Sequence, residues 1–372
     1  MRAVTARRSI RILGTRGVPN RHGGFEACAE HLAPWLAERG WDVTVYCQEA
    51  WGQPRRQSAW RGVTLEHIPT RLDGSAGSVV FDFASVRHAA AHGDLVLTLG
   101  FNTAVFFLWY LARRRRHVVN MDGLEWQRGK WSLPIKAWFY ANSWIAGAAA
   151  DRLIADHPDI ASMLARRGLA ERTVMVPYGA DAVADAPVEP LRALQLTPDG
   201  YALVIARPEP ENSVLDIVRA WSARRRPVPL VVVGHYDATR PYHSAVRAAA
   251  DSSVRFAGAL YDAPLVQALR AHARLYIHGH TVGGTNPSLV EALGAGSPVL
   301  AHDNRFNRWV TGAAGQYFAD EVLCAAQLDA LLDNPAALSA MRAASVARHA
   351  EAFTWERVLP AYEAVLEDAR VR

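Results

Sequence analysis

Lysine is nearly missing from this chain. It occurs only at Lys130 and Lys136, so the formal charge of +5 is carried almost wholly by arginine. A basic balance favours anionic partners: nucleotides, phospholipid surfaces or nucleic acid. A bias toward arginine codons accounts for it equally well. Cysteine is also scarce. Cys28, Cys47 and Cys324 stand far apart, form no metal-binding or disulfide pattern, and are expected in a reducing compartment. No apolar run is convincingly of membrane length. The longest candidate, residues 95–112, carries no formal charge and sits before four arginines, but Thr98, Gly100, Asn102 and Thr103 interrupt it. Eighteen residues is the lower end for a span. A strand over 95–99, a turn over 100–102 and a helix over 103–112 fits better. The opening MRAVTARRSIRILGT lacks a signal-peptide core, because its apolar run is short and leads straight into a glycine loop. Low-complexity tracts and internal repeats are lacking too.

What is present has the makeup of a soluble globular protein, half apolar and a fifth charged. Its 372 residues suit two domains of about 150–200 residues each. Short apolar strands alternate with helical stretches over the first half. Strands are predicted at 10–14, 43–47, 63–68, 95–99, 117–121, 152–155 and 173–176, and helices at 24–39, 78–91, 103–112, 132–149 and 158–167. Strands separated by helices of this length imply βαβ units and a parallel sheet. An Ala-, Pro- and acid-rich stretch over 181–199 reads as a linker. A second alternating set follows, with strands at 201–206, 229–234, 254–257, 274–278 and 297–301, and a final helix over 355–369. The expected organisation is an N-terminal domain over 1–180, a second domain over 200–352, and a C-terminal segment over 353–372.

Three loops carry candidate chemistry. Residues 278–301, HGHTVGGTNPSLVEALGAGSPVLA, run strand, glycine loop, helix, strand. Glycines admit a ligand close to the backbone, and the next helix starts with unpaired N–H groups and a positive dipole end. Such a place takes phosphate, and Gly283, Gly284, Thr285, Asn286 and Ser288 are its candidate ligands. Glu291 lies too far into the helix to cap it and is placed to accept hydrogen bonds from nucleotide sugar hydroxyls. The first βα loop, Gly14-Thr15-Arg16-Gly17 to Gly23-Gly24-Phe25-Glu26, pairs glycines at a helix start again. Glu26 is either a sugar ligand or a first-turn stabiliser. The third loop holds Asp122, Glu125, Trp126, Arg128 and Lys130, a mixture suited to carbohydrate: carboxylates accept from hydroxyls and tryptophan covers an apolar sugar face. His278 and His280, flanking one glycine, are further sugar-binding candidates, and His22 a weaker one.

The 278–301 segment resembles the donor-nucleotide loop of retaining GT-B glycosyltransferases. That family usually has two glutamates eight positions apart. Glu291 matches the second; the first falls on Gly283, so contacts to the donor sugar must differ. The wording His278-Gly-His280-x-x-Gly-Gly-Thr-Asn-Pro-Ser, and Arg16-Gly-x-Pro with Gly23-Gly-Phe-Glu26, is similar to bacterial polysaccharide rhamnosyltransferases. The resemblance implies an α/β fold of two Rossmann-like doubly wound domains facing a central cleft. It implies an acceptor-binding first domain, a nucleotide-sugar-binding second domain, and a last helix crossing back to the first. It also implies transfer with retention, most specifically of L-rhamnose from dTDP-L-rhamnose, to a saccharide acceptor in polysaccharide synthesis.

Arg207 matches the family's diphosphate-binding arginine, and a fork-shaped permanent cation suits that role. The family's lysine five positions on is replaced by Asn212, and Arg16 is the expected source of the lost charge. Asp122 stands near the family's histidine that faces the reacting sugar, so Asp122 and Arg207 are the expected catalytic residues. Gly23 and Gly24 join the donor-phosphate set; Glu26, Glu125, Trp126, Arg128, His278 and His280 form the sugar and acceptor set. No Asp-x-Asp motif is present, so neither metal nor cofactor is expected beyond the dTDP- or UDP-linked sugar substrate. A nucleotide-sugar epimerase or hydrolase of similar fold and a non-catalytic nucleotide-sugar-binding subunit are the competing readings. Nucleic acid is not an expected partner, and the expected location is cytoplasmic. Phe106, Phe107, Trp109, Tyr110, Trp131, Trp138, Phe139 and Trp144 lie near basic residues. They suit either a peripheral membrane surface or core packing.

Overall fold

The computed structural model describes residues 8–19, 23–72, 74–183 and 185–371. The chain forms two compact units. One comprises Met1–Trp126, Ser132–Pro177 and Glu356–Arg372; the other comprises Gln127–Trp131 and Tyr178–Trp355. His22 lies outside the described residues.

The first unit holds an eight-stranded sheet. Its strands are β1 (Ser9–Leu13), β2 (Asp42–Ala50), β3 (Arg56–Trp60), β4 (Val63–Thr70), β5 (Leu95–Leu99), β6 (His117–Asn120), β7 (Arg152–Ala155) and β8 (Thr173–Met175). The order is β3-β4-β2-β1-β5-β6-β7-β8. Every pair is parallel except β3 with β4. Strands β5, β6 and β7 are buried throughout, which explains why they read as continuous apolar runs instead of alternating ones. The unit's helices are α1 (Gly24–Glu38), α2 (Gly74–Ala91), the short α3 (Leu108–Ala112), α4 (Leu133–Ala149) and α5 (Pro158–Arg166). A 3-10 turn over Ala104–Phe107 leads into α3, where one continuous helix was expected.

The second unit holds a six-stranded, wholly parallel sheet of β9 (Ala202–Ile205), β10 (Leu230–Val233), β11 (Val254–Gly258), β12 (Leu275–His278), β13 (Val299–His302) and β14 (Gly315–Phe318). The order β11-β10-β9-β12-β13-β14 is the doubly wound dinucleotide-fold order, which reverses direction between its first and fourth strands. Helices α6 (Val214–Ser222), α7 (Pro241–Ala248), α8 (Ala263–Ala271), α9 (Pro287–Gly294), α10 (Arg305–Thr311), α11 (Glu321–Leu332) and α12 (Pro335–Ala352) cover it. One face packs on Trp221, Val232, Ile277 and Leu328, the other on Tyr201, Val233, Tyr276 and Leu293. The stretch expected to be a linker belongs to this unit: Leu191 and Leu196 sit in its core.

Helix α13 (Trp355–Val371) ends the described chain. From Glu356 on it belongs to the first unit. Val358, Leu359, Tyr362, Val365, Leu366 and Ala369 are all buried, the 3-4 spacing of a helix with one apolar stripe. Asn120 Nδ2 donates to Tyr362 Oη at 2.6 Å, Trp41 Nε1 donates to Glu363 at 2.9 Å, and Arg152 pairs with Asp368.

Candidate functional site

Open α/β sheets bind ligands outside the carboxyl ends of strands, where the strand order reverses. In the second unit that point lies between β9 and β12. Arg207 follows β9 by two residues and His280 follows β12 by two. The two loops are knitted together. Asn212 Nδ2 donates to the Arg207 carbonyl at 2.7 Å, so its Oδ1 faces the other way, to His280 Nδ1 at 2.5 Å. His280 Nδ1 therefore carries the proton. Thr281 donates through both N–H and hydroxyl to the Glu211 carbonyl, at 2.9 and 3.0 Å. Asn304 and Asn307 both donate to the His280 carbonyl, at 3.0 and 2.8 Å.

Three cations gather here. The Arg207 guanidinium is exposed and has no ion-pair partner among the described residues. Arg128 Nη1 and Lys130 Nζ approach the buried Glu211 carboxylate at 3.4 and 3.5 Å. The His280 pKa is pushed well below its ordinary value by burial first, then by the charges of His278, Arg128 and Arg207. A neutral imidazole beside Arg207 and the Arg128–Lys130–Glu211 cluster, two cations on one carboxylate, marks a site of positive potential, suited to a phosphate.

Arg16, the expected source of the missing lysine's charge, lies in the first unit, where its Nη2 donates to Ser78 at 3.3 Å. Within the second unit the charges near position 212 are Arg128 and Lys130. Residues 120–131 were expected to form one sugar-recognition loop, yet the chain changes unit between Trp126 and Gln127.

The glycine loop also differs from expectation. Asn286 caps α9, its Oδ1 accepting from Ser288 N at 3.0 Å; Leu289 and Val290 N–H groups both reach the Asn286 carbonyl at 3.1 Å. Pro287 has no N–H. The first turn of α9 thus has its donors taken within the protein. Ser288 is likewise used internally: its Oγ meets Tyr276 Oη at 2.8 Å and Arg270 Nη2 at 3.2 Å. Glu291 is paired with Arg270 at 2.5 Å while remaining half-exposed. Thr285 is buried. Gly283 has φ +147, and a Cβ there would meet His280 Nε2 at 3.2 Å. Gly284 adjoins it in the same loop. His278 is buried in β12; burial, then His302 and Arg270, drive its pKa down to about 3. Its buried Nε2 has no hydrogen-bond partner among the described residues.

In the first unit the strand order reverses between β1 and β5, and a cavity of 210 Å³ lies there, lined by residues that include Arg16, Glu26, Ser78, Asp82, Asn102 and Thr103. Gly14 ends β1 with φ +85, and a Cβ would collide with the Leu99 carbonyl oxygen at 2.0 Å. Glycine is needed there for strand packing. Glu26 is buried and accepts from the Arg16 amide at 2.9 Å, bracing the loop. Gly23 and Gly24 open α1, with Gly23 in extended backbone. Asp82, on α2, was missed from sequence. Its carboxylate accepts from Thr103 Oγ1 at 2.8 Å; burial raises its pKa to about 6 against the lowering effects of Thr103 and Arg16.

Asp122 is half-buried at the end of β6, its N–H donating to Asn120 Oδ1 at 2.9 Å. Glu125 is half-buried too. The Trp126 ring packs against Phe101 and Tyr140 at centroid distances of 6.1 and 5.6 Å, with the Arg167 guanidinium 5.7 Å from its centre. That ring is part of an aromatic cluster and is half-buried. Among the described residues no group of three or more His, Cys, Asp or Glu side chains could hold a metal ion.

Residues 200–334 match the family model described as glycosyl transferases group 1. Residues 7–181 match a family described as a domain of unknown function, DUF1972. No curated protein matches the chain in sequence. Among solved structures, sucrose-phosphate synthase from Thermosynechococcus elongatus is similar over 98% of this chain and 100% of its own, with 17% identity and TM-score 0.80. Anabaena HepE in complex with UDP and glucose matches over 97% and 100%, with 16% identity and TM-score 0.76. The UDP-forming α,α-trehalose-phosphate synthase of Burkholderia vietnamiensis matches over 98% and 100%, with 13% identity and TM-score 0.73.

Proposed function

We propose that this chain is a group 1 glycosyltransferase of GT-B type that moves L-rhamnose from dTDP-L-rhamnose to a saccharide acceptor, with retention, in bacterial polysaccharide synthesis. The observation that carries the donor half is the convergence of Arg128 and Lys130 on Glu211, in the loop system that holds Arg207 and His280. A nucleoside diphosphate needs cationic neutralisation, and three cations gather where the strand order reverses. In this reading Arg207 meets the diphosphate directly. Arg128 and Lys130 take the place of the lysine replaced by Asn212, and Glu211 holds them together until the phosphates arrive. Fixed cations of this kind stabilise the negative charge that grows on the leaving diphosphate. Glu291, kept in place by Arg270, accepts from the nucleoside sugar. The acceptor falls to the first unit. Asp122 faces the reacting hydroxyl, and the cavity at Asp82 holds the acceptor sugar.

The rhamnose assignment rests on the wording of the 14–26 and 278–288 loops. UDP in the Anabaena HepE complex makes a UDP-linked donor the alternative to test. The experiment is transfer from dTDP-rhamnose and UDP-glucose by wild type, Arg207→Ala and Lys130→Met. Arg207→Ala is expected to lower kcat/KM by about 10²–10³ and Lys130→Met by about tenfold or more, with rates unaffected by chelator. Donor consumption with no acceptor present would replace transfer by epimerisation or hydrolysis. Nucleotide binding without turnover of any donor would make the chain a binding subunit.

A further inference from the structure

Helix α4 is built inside out. Its inward residues are Asn142, Ser143, Ala146, Gly147 and Ala149. Asn142 accepts from the Val105 N–H at 2.7 Å and donates to the Trp138 carbonyl, and Ser143 donates to the Tyr140 carbonyl. Its outward residues are Leu133, Ile135, Trp138, Tyr140 and Trp144, exposed by 81, 39, 45, 46 and 46%. A water-facing helix has the opposite arrangement. The neighbouring α3 adds Leu108, Trp109 and Leu111, exposed by 50, 41 and 50%. No acidic residue occurs in either helix.

Immediately after α3 come Arg113, Arg114, Arg115 and Arg116. A concavity continuous with the apolar face, sharing Leu111 and Ala148 with it, is lined by Arg114, Arg115, Arg116, Arg152 and Arg172. Arg116 pairs with Asp151, Arg152 with Asp368, and Arg172 donates to the Gly147 and Ala150 carbonyls, which leaves Arg114 and Arg115 without an acidic partner among the described residues. Apolar aromatics beside a cationic hollow match the layering of a bilayer surface, where indole rings settle at headgroup depth and arginines meet lipid phosphate. Among the described residues no helix is long and apolar enough to cross a membrane.

We propose that the α3–α4 face of the first unit docks on a membrane surface of anionic phospholipid, with tryptophans entering the interface and the arginine concavity receiving headgroup phosphates. A second copy of this chain would cover the apolar helices but would face the arginines with its own. Charge complementarity selects the anionic bilayer.

The test uses the full chain without donor or acceptor, so its failure is separate from that of the transfer reaction. Flotation is measured with vesicles of phosphatidylcholine alone and of phosphatidylcholine mixed with phosphatidylglycerol. Wild type is expected to bind the mixed vesicles at least about tenfold more strongly, with a blue shift of tryptophan emission. Leu133→Ser/Trp138→Ser and Arg113→Gln/Arg114→Gln should each lower that binding about tenfold or more while keeping the wild-type melting curve. Equal binding to both vesicle types, or to neither, overturns the proposal. So does retention of binding by the arginine variant, or a wild-type dimer that the Leu133→Ser/Trp138→Ser variant turns into monomer.

Discussion

Asp82 is a carboxylate held where water is scarce. Burial raises its pKa to about 6, above the roughly 3.9 of a free aspartate. Between those values the native state binds a proton that the unfolded chain gives up, so this residue's contribution to stability falls as pH rises toward 6. Above 6 the cost is complete, up to about 3 kcal/mol. Asp82→Asn, which can still accept from Thr103, is expected to raise the unfolding midpoint at about pH 7.5 and to lose that advantage near pH 4. If Asp82 also accepts an acceptor hydroxyl, the same variant should raise the acceptor KM with little change in donor KM. A midpoint unchanged at both pH values would refute the buried-charge account. Gly283 makes a second case. With φ +147 and His280 Nε2 close to where its Cβ would be, Gly283→Glu combines backbone strain with a carboxylate placed near His280, on which Arg128 and Arg207 act. Turnover is expected to fall with both donor sugars; a gain with either would mean that the position is open to a glutamate after all. The glycine loop and the start of α9 were legible because glycine pairs and Asn-Pro-Ser are local signals. Asp82 was not, because it sits within an ordinary-looking helix and acquires meaning only from Thr103, 21 residues away. The Lys130–Glu211 approach joins residues far apart in sequence, and no local pattern could announce it.

At the scale of elements, the buried parallel strands were legible because each is a short apolar run bounded by breakers. The two strands missed have physical excuses. β3 is mostly exposed and reads Arg-Gln-Ser-Ala-Trp; it pairs antiparallel through the Arg61–Gly62 turn, both residues at positive φ. β14 is four residues long and starts with glycine. Helix α13 offers the clearest element-level test. Leu366 is fully buried among first-unit residues, and Leu366→Ala should cost about 2–5 kcal/mol. Because Tyr362 holds Asn120, and Asn120 in turn receives the Asp122 N–H, Tyr362→Phe is expected to lower kcat more than it lowers stability. Chemical denaturation together with initial rates checks both. A Leu366→Ala midpoint equal to wild type would mean that α13 is dispensable to that core.

Both units carry strongly depressed histidines: His88 and His117 in the first, His278 and His280 in the second. His117 in β6 and His278 in β12 have pKa values of about 3, lowered chiefly by burial, whereas the unfolded chain titrates near 6.5. The stability they lend is complete above about pH 6.5. Below it the unfolded state takes up protons that the native state refuses, so stability drops by up to about 1.4 kcal/mol per pH unit for each histidine. Asp82 acts oppositely between about pH 4 and 6, so the first unit should lose less than the second. Urea titrations from about pH 7.5 to 4.5 are expected to show falling midpoints; constant midpoints would contradict the burial of both rings. The net charge and the two alternating halves were readable from sequence. The assignment of residues 178–199 to the second unit was not, since Leu191 and Leu196 are isolated apolar residues in a stretch composed like a linker.

The split membership of α13 has a consequence for the order in which the protein is made. A ribosome delivers the amino-terminal residues first, yet the sheet they form lacks Val358, Leu359, Tyr362, Val365, Leu366 and Ala369 until the last helix has emerged. The second unit is complete once Trp355 is out. The half synthesised first is therefore the half that finishes last. A chain halted before Glu356 would carry a finished carboxyl-terminal unit joined to an amino-terminal one still showing its core, a species that chaperones would hold and proteases would cut from the amino-terminal side.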